Sequence, residues 1–275
     1  MILIENIEVV YCLINGVDKK DSEWVTNFYL NEDNLNHWID KGRLFFLDCG
    51  STVFFFRADR DFFHLYYYSN SMMSLQKDVK NIRNADYIIV VDCIGLASLG
   101  RTVSVFIENG FKRYISYTKM QRAIGKEEIL PNPSYDIVFP RLDEASIICK
   151  MFENNFDRFA EQLPTIDEME KLITIKSVIM VREGSDIAGV LIRNKKLKTS
   201  VLMFYLVNKK YRGKGVGGAL LSHYLNEYRG GIITLWVLSN NENAISVYQH
   251  YGFGKKQISD QILINKDIHY EAKSN

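Results

Sequence analysis

Glycine and positive charge are concentrated in one short run, Tyr211-Arg212-Gly213-Lys214-Gly215-Val216-Gly217-Gly218. A residue without a Cβ lets a ligand approach the backbone, and the side chains of Arg212 and Lys214 add charge at the same place. The chemistry this combination suits is phosphate binding. The flanking sequence supplies the elements that would hold such a loop. Before it, Val201–Val207 is short, apolar and rich in β-branched and aromatic residues, which predicts a buried strand. After it, Leu220, Leu221, Tyr224, Leu225 and Tyr228 recur at helical spacing until Gly230-Gly231, which predicts a helix over Ala219–Tyr228. In the first turn of that helix the N–H groups have no intrahelical acceptor, and that end carries a partial charge of about +0.5. A tight turn that binds nothing would also use glycines, and the Gly-Lys-Ser/Thr ending of a P-loop is missing.

A second constellation follows the loop: Asn241-x-x-Ala244-x-x-x-Tyr248-x-x-x-Gly252-Phe253. Together with Arg212-x-x-Gly215-x-Gly217, in that order and spacing, it resembles the acetyl-CoA-binding core of the GCN5-related N-acetyltransferases, the GNAT family. The resemblance implies acetyl-CoA as cosubstrate, no metal, and a set of roles. Arg212, Gly213, Lys214, Gly215, Val216, Gly217 and Gly218 would hold the CoA pyrophosphate, largely through backbone N–H groups. Tyr205, Leu206 and Val207, where the strand splays from its neighbour, would pair through their backbone with the pantetheine arm, a ligand borrowing a sheet edge. Asn241 matches a position that touches the pantetheine or steadies the loop, and a helix N-cap would account for it equally. Tyr248 matches the general acid, the phenol that protonates the departing thiolate, and a packed aromatic on the helix's inner face is its plainer reading.

The reaction implied is direct attack of an amine on the thioester through a tetrahedral intermediate, with backbone N–H groups near Leu206 and Val207 polarising the carbonyl. The amine must first lose a proton, which calls for a base. Val201–Val207 contains no carboxylate. Glu183, at the end of a strand predicted at Val178–Val181, is the candidate, with a turn residue as the alternative, and Asp186 in the same turn stands second. His223 and His250 read as surface or packing residues.

Length and composition bound what surrounds this core. A chain of 275 residues with 47% hydrophobic residues suits two domains, each with a core. A net charge of +1, from 34 basic and 33 acidic residues, argues against a nucleic-acid partner. Cys12, Cys49, Cys93 and Cys149 are scattered without a Cys-x-x-Cys pair, which predicts reduced thiols and a cytoplasmic protein. No stretch approaches the length of a membrane span, so no membrane partner is expected. The four prolines all lie between Pro131 and Pro164, and Leu130-Pro-Asn-Pro-Ser134 has linker chemistry, which places a domain over 1–130 and a second over 135–275.

The order of predicted elements repeats across that junction. In the first part a strand is expected over Ile2–Ile14, helical material over Asp21–Asp40, a meander of three strands between Leu44 and Tyr68, a helix over Met72–Ile82, a strand over Tyr87–Val91, a helix over Thr102–Glu108 and a strand over Arg113–Met120. The tails lie over each other at a constant offset of 142 residues, Phe106 over Tyr248 and Gly110 over Gly252. The expected fold is therefore α/β, a mixed sheet, in two tandem GNAT-like domains. At that offset the first copy has Asn70 for Arg212, Met73 for Gly215, Leu99 for Asn241 and Phe106 for Tyr248, so it is a degenerate copy without the CoA loop. It would wall the acceptor site, bind the acceptor or complete the fold, and its aromatics at Phe54–Phe56 and Tyr66–Tyr68 read as core.

Three functions fit these observations. The first is an N-acetyltransferase acting on a primary amine of a small molecule such as an amino sugar, amino acid or polyamine, or on a protein. The others are an aminoacyl-tRNA-dependent transferase of the tandem GNAT-like class and a CoA-binding or interaction protein without catalysis. The phosphate loop and near-neutral charge count against the second, and retention of Tyr248 against the third. A monomer or homodimer is expected.

Overall fold

The structure, a computed structural model, describes residues 1–17, 24–29, 31–96, 100–131, 135–195 and 198–270. Leu99 and residues 132–134 of the expected linker lie outside these. The chain forms two compact units, one of Met1–Tyr117 with Gln257–Tyr270, the other built on Thr118–Lys256.

The first unit contains β1 (Ile2–Leu3), α1 (Ile7–Gly16), β2 (Val25–Thr26), α2 (Glu32–Asp40), β3 (Leu44–Asp48), β4 (Thr52–Asp59), β5 (Phe62–Ser69), α3 (Met72–Asp78), β6 (Ile88–Leu96), α4 (Gly100–Glu108) and the start of β7 (Lys112–Ala123). The strand expected over Ile2–Ile14 is instead two strand residues followed by a helix. Asn6 caps that helix by accepting from the Val9 N–H at 3.1 Å, and Ile7, Val10, Leu13 and Ile14 recur at helical spacing into a core. The β-branched run was thus overridden by a cap and a 3.6-residue period. The other elements of this half fall where the apolar runs put them.

Phe54, Phe55 and Phe56 are all fully buried because both faces of the sheet are covered. Phe54 and Phe56 pack with Leu75 of α3 and Phe106 of α4, whereas Val53 and Phe55 pack with Val10 of α1 and Leu35 of α2. β3, β4 and β5 are antiparallel, and β5 and β6 are parallel.

The second unit repeats the plan with β8 (Ile137–Val138), α5 (Ala145–Asn155), α6 (Ile166–Thr174), β9 (Val178–Glu183), β10 (Asp186–Lys195), β11 (Thr199–Val207), α7 (Val216–Glu227), β12 (Ile232–Leu238) and α8 (Glu242–His250). Here β9, β10 and β11 are antiparallel, and β11 and β12 are parallel. α5 and α6 cover one face through Ile148, Phe152 and Met169, and α7 and α8 cover the other through Leu220, Tyr224 and Ile245. The strand expected over Tyr135–Leu142 shrinks to the two residues of β8. The last strand, β13 (Gly254–Ile264), leaves the second unit and runs antiparallel to β6 in the first, from Ile258↔Leu96 to Ile264↔Val90. Among the described residues no helix is long and apolar enough to cross a membrane.

The repeat is confirmed in register with one change. Helices α4 and α8 start 142 residues apart, at Gly100 and Glu242, whereas α3 and α7 start 144 apart, at Met72 and Val216. Ser71, rather than Met73, is therefore the counterpart of Gly215.

Helix α7 is tied to the sheet by an ion pair. Arg193 of β10 is fully buried, and its Nη2 reaches Glu227 Oε2 at 3.0 Å. Removing one member of such a pair strands a charge, so Glu227→Ala is expected to destabilise the chain by about 3–5 kcal/mol in urea unfolding, with much of that recovered on adding Arg193→Met. A change below about 1 kcal/mol would show that the pair contributes little.

Candidate active site

Gly213 and Gly215 adopt φ of +73° and +87°, a left-handed conformation that L side chains rarely take, and Gly215 sits directly before α7. No side chain caps α7. Its first backbone bond is Ala219 N–H to Gly215 C=O at 3.0 Å, so the N–H groups of Val216, Gly217 and Gly218 precede the ladder and have no intrahelical acceptor. Side chains from outside brace the loop. The Tyr135 hydroxyl donates to Lys214 C=O at 2.8 Å, and Arg212 Nε donates to Val207 C=O at 3.2 Å. At its base Asp186 accepts from Lys210 Nζ at 2.8 Å and from the Tyr211 hydroxyl at 2.7 Å, and these bonds hold the Asp186 carboxyl below its usual range.

The second feature is an opening in the sheet. The ladder between β11 and β12 runs from Thr199↔Ile232 to Leu202↔Leu235 and stops, although β11 continues to Val207 and β12 to Leu238. On its other edge β11 stays paired with β10 as far as Gly189↔Val207. Beyond Leu202, one edge of β11 has no strand against it among the described residues. Gly189 lets α7 lie close over β10, since a Cβ there would be 2.9 Å from Val216 Cγ1 and Leu220 Cδ1.

A cleft of about 520 Å³ lies where loop and opening meet. It is lined by Tyr205 and Val207 of β11, by Tyr211, Arg212, Gly213, Gly215, Gly217 and Gly218, and by Ser246, Val247, His250 and Tyr251 at the end of α8. A Cβ on Gly217 would collide with the Tyr205 hydroxyl, and one on Gly218 would lie 2.8 Å from the Tyr251 hydroxyl. Loop glycines, cationic side chains, helix N–H groups and an open strand edge thus face one space, which fits a long ligand carrying both phosphate and amide groups.

The residues singled out from sequence divide into groups. Tyr205, Val207, Arg212, Gly213, Gly215, Gly217 and Gly218 line the cleft. Lys214 stands over the Tyr211 ring at 5.4 Å. The side chains of Leu206 and Val216 are core, on opposite faces of the sheet. Asn241 is the N-cap of α8 and accepts from Ala244 N–H at 3.0 Å. Tyr248 is buried, with its ring 6.2 Å from that of Tyr205 and 5.8 Å from that of Phe253. Burial, then the neighbouring Tyr205 and Glu161, pushes its pKa well above the usual phenol value. Glu183 is exposed at the β9–β10 hairpin, opposite Asp186, and does not line the cleft.

Sequence reasoning passed over Ser246, Val247, His250 and Tyr251 as a group, although their spacing places them along one side of α8. It also passed over Glu161, which lies between α5 and α6 and close enough for its charge to bear on Tyr248.

Comparison with known proteins bears on what this site does. Residues 146–253 match the model of the acetyltransferase (GNAT) family. A search of curated proteins returns no match. Among solved structures, the chain is similar to a GCN5-related N-acetyltransferase from Sphaerobacter thermophilus, with a TM-score of 0.56, 16% identity and 87% of each chain covered. It is also similar to a tandem GNAT protein from the clavulanic acid biosynthesis pathway, with a TM-score of 0.56 and 11% identity over 88% of this chain and 97% of that one. A GNAT-family acetyltransferase from Colwellia psychrerythraea aligns over 95% of this chain and 97% of its own at 13% identity and a TM-score of 0.52. At such identities the likeness is one of fold, and it extends over both units. The chain therefore has the tandem GNAT-like fold and carries, over residues 146–253, an acetyltransferase domain of the GNAT family.

Proposed function

We propose that residues 135–275 transfer the acetyl group of acetyl-CoA directly to the primary amine of a small molecule, and that residues 1–130 form a partner domain without a phosphate loop. The observation that carries this reading is the parting of β11 from β12 at Leu202, beside the uncapped start of α7. In it, the N–H groups from Gly213 to Gly218, with Arg212 and Lys214, hold the pyrophosphate. The open edge of Tyr205, Leu206 and Val207 takes the pantetheine amides, Asn241 fixes the start of α8, and Tyr248 protonates the leaving thiolate. The protein acts in the cytoplasm on a soluble acceptor.

The acceptor's base is assigned between two carboxylates. Glu183 is the one expected from sequence, yet it points to solvent at a hairpin. Glu161 is the one whose charge reaches Tyr248, and it is held in a turn in which its N–H donates to Asp157 C=O at 3.0 Å. Thiol release from acetyl-CoA across a panel of primary amines tests both the reaction and this choice. Wild type is expected to turn over at least one amine. Glu161→Gln is expected to lower kcat/KM for it about 100-fold and Glu183→Gln less than about twofold. The opposite pattern returns the base to the hairpin, and absence of amine-dependent release overturns the transferase reading.

A further inference from the structure

The first unit has the same opening in its sheet, and it is filled. Its parallel ladder runs from Phe62↔Ile88 to Leu65↔Val91 and stops, while β5 continues to Ser69 and β6 to Leu96. This is the counterpart of the parting at Leu202↔Leu235. Into it comes the chain between α1 and α2. β2 pairs antiparallel with β5 through Val25↔Ser69 and Thr26↔Tyr68, along the edge that β6 has left.

Asn27 sits at the apex. Its Nδ2 donates to Leu65 C=O on β5 at 3.1 Å and to Asp92 C=O on β6 at 3.0 Å, and its Oδ1 accepts from Tyr67 N–H at 2.8 Å. One amide side chain thus satisfies three backbone groups that the end of the ladder would leave buried and unpaired. Thr26 Oγ1 adds a bond to Tyr67 C=O at 2.6 Å, and Phe28 packs its ring on Phe55 with centroids 4.5 Å apart.

We propose that Val25–Phe28 is the first unit's own ligand: an extended segment that occupies in cis the strand-edge groove which the second unit keeps open, and so excludes any acyl-carrier arm from the first unit. The inference rests on the reading that the open groove of the second unit takes acetyl-CoA. The chemistry is matched, since a peptide segment offers a strand edge the same alternating N–H and C=O groups that the amides of a pantetheine arm would offer. The phosphate end is closed as well. Ser71 caps α3 by accepting from Ser74 N–H at 3.1 Å, where the second unit has the uncapped Gly215.

Two measurements on the full chain test this. Calorimetric titration with acetyl-CoA is expected to give one equivalent per chain in wild type and in Asn27→Ala, and none in Gly215→Glu. Amide hydrogen exchange without ligand is expected to show Tyr67 protected in wild type and exchanging at least about tenfold faster in Asn27→Ala, with amides of β9 and β10 as the control for global loosening. Adding acetyl-CoA is expected to protect Met203–Val207 and leave Leu65–Ser69 unchanged. Two equivalents in wild type with one left in Gly215→Glu, new protection at Leu65–Ser69, or Tyr67 exchange indifferent to Asn27→Ala would overturn the proposal. Should wild type bind no acetyl-CoA, or protection at Met203–Val207 fail to appear, the reading of the second unit fails, and the exchange of Tyr67 alone still decides whether the segment fills its groove.

Discussion

Gly215→Glu is expected to lower acetyl-CoA affinity by at least about 100-fold, or about 2.7 kcal/mol, in calorimetric titration of the full chain. Two effects combine. Gly215 holds φ at +87°, where an L side chain costs about 1–2 kcal/mol. The new carboxylate would also stand at the start of α7, where the unpaired N–H groups of Val216, Gly217 and Gly218 face the cleft, and would set a negative charge against a pyrophosphate. A negative charge at that end favours the helix itself, which offsets part of the backbone strain. The loss should therefore be one of binding, with the melting temperature lowered by only a few degrees. Unchanged affinity would remove the loop from the cosubstrate site.

The second large effect is expected at Tyr248. Tyr248→Phe should reduce kcat by about 100- to 1,000-fold while leaving acetyl-CoA affinity within about twofold. The ring is held by Tyr205 and Phe253, and phenylalanine keeps both contacts while deleting the one group that can give a proton. The pH dependence follows from the direction of the shift. Burial, Tyr205 and Glu161 raise the pKa of Tyr248, so the phenol keeps its proton as the pH rises through the range in which an amine substrate loses its own. Activity should then climb with pH as the amine deprotonates, and Tyr248→Phe should lower the whole profile without moving that limb. A fully active variant would assign the acid to another group, and Tyr251, whose hydroxyl stands beside Gly218 in the cleft, would be the next to test.

Much of this was legible in the residues, and the reasons are local. Short apolar runs bounded by turns mark β3, β4, β5 and β9 to β12, because a strand covered on both faces needs an apolar residue at nearly every position. The glycine loop was legible because positive φ and close approach each exclude a Cβ, a demand that falls on single positions such as Gly215 and Gly217. The offset between Phe106 and Tyr248 exposed the repeat, since the same helix and strand follow in both halves.

What stayed hidden depends on distant parts of the chain. Asn6 turned an apparent strand into α1, a capping choice that periodicity could have flagged but propensity could not. The loop register of the two copies differs by two residues because the connection before α7 is longer than that before α3, and only the helix starts show this. β13 crosses into the first unit, where it pairs with residues far away in sequence. Glu161 and Asn27 gave no signal at all. Each lies in a connection between helices, and its significance comes from what the opened sheet brings to it, Tyr248 in one case and the ends of β5 and β6 in the other.

One stoichiometric assay addresses the acetyltransferase reading most directly. Incubating the chain with acetyl-CoA and an amine that supports thiol release, and quantifying both free CoA thiol and N-acetylated amine by mass spectrometry, should give equal amounts of the two in wild type and neither above background in Gly215→Glu. Thiol released without acetylated amine, or acetylated amine undiminished in Gly215→Glu, would contradict direct acetyl transfer at this cleft.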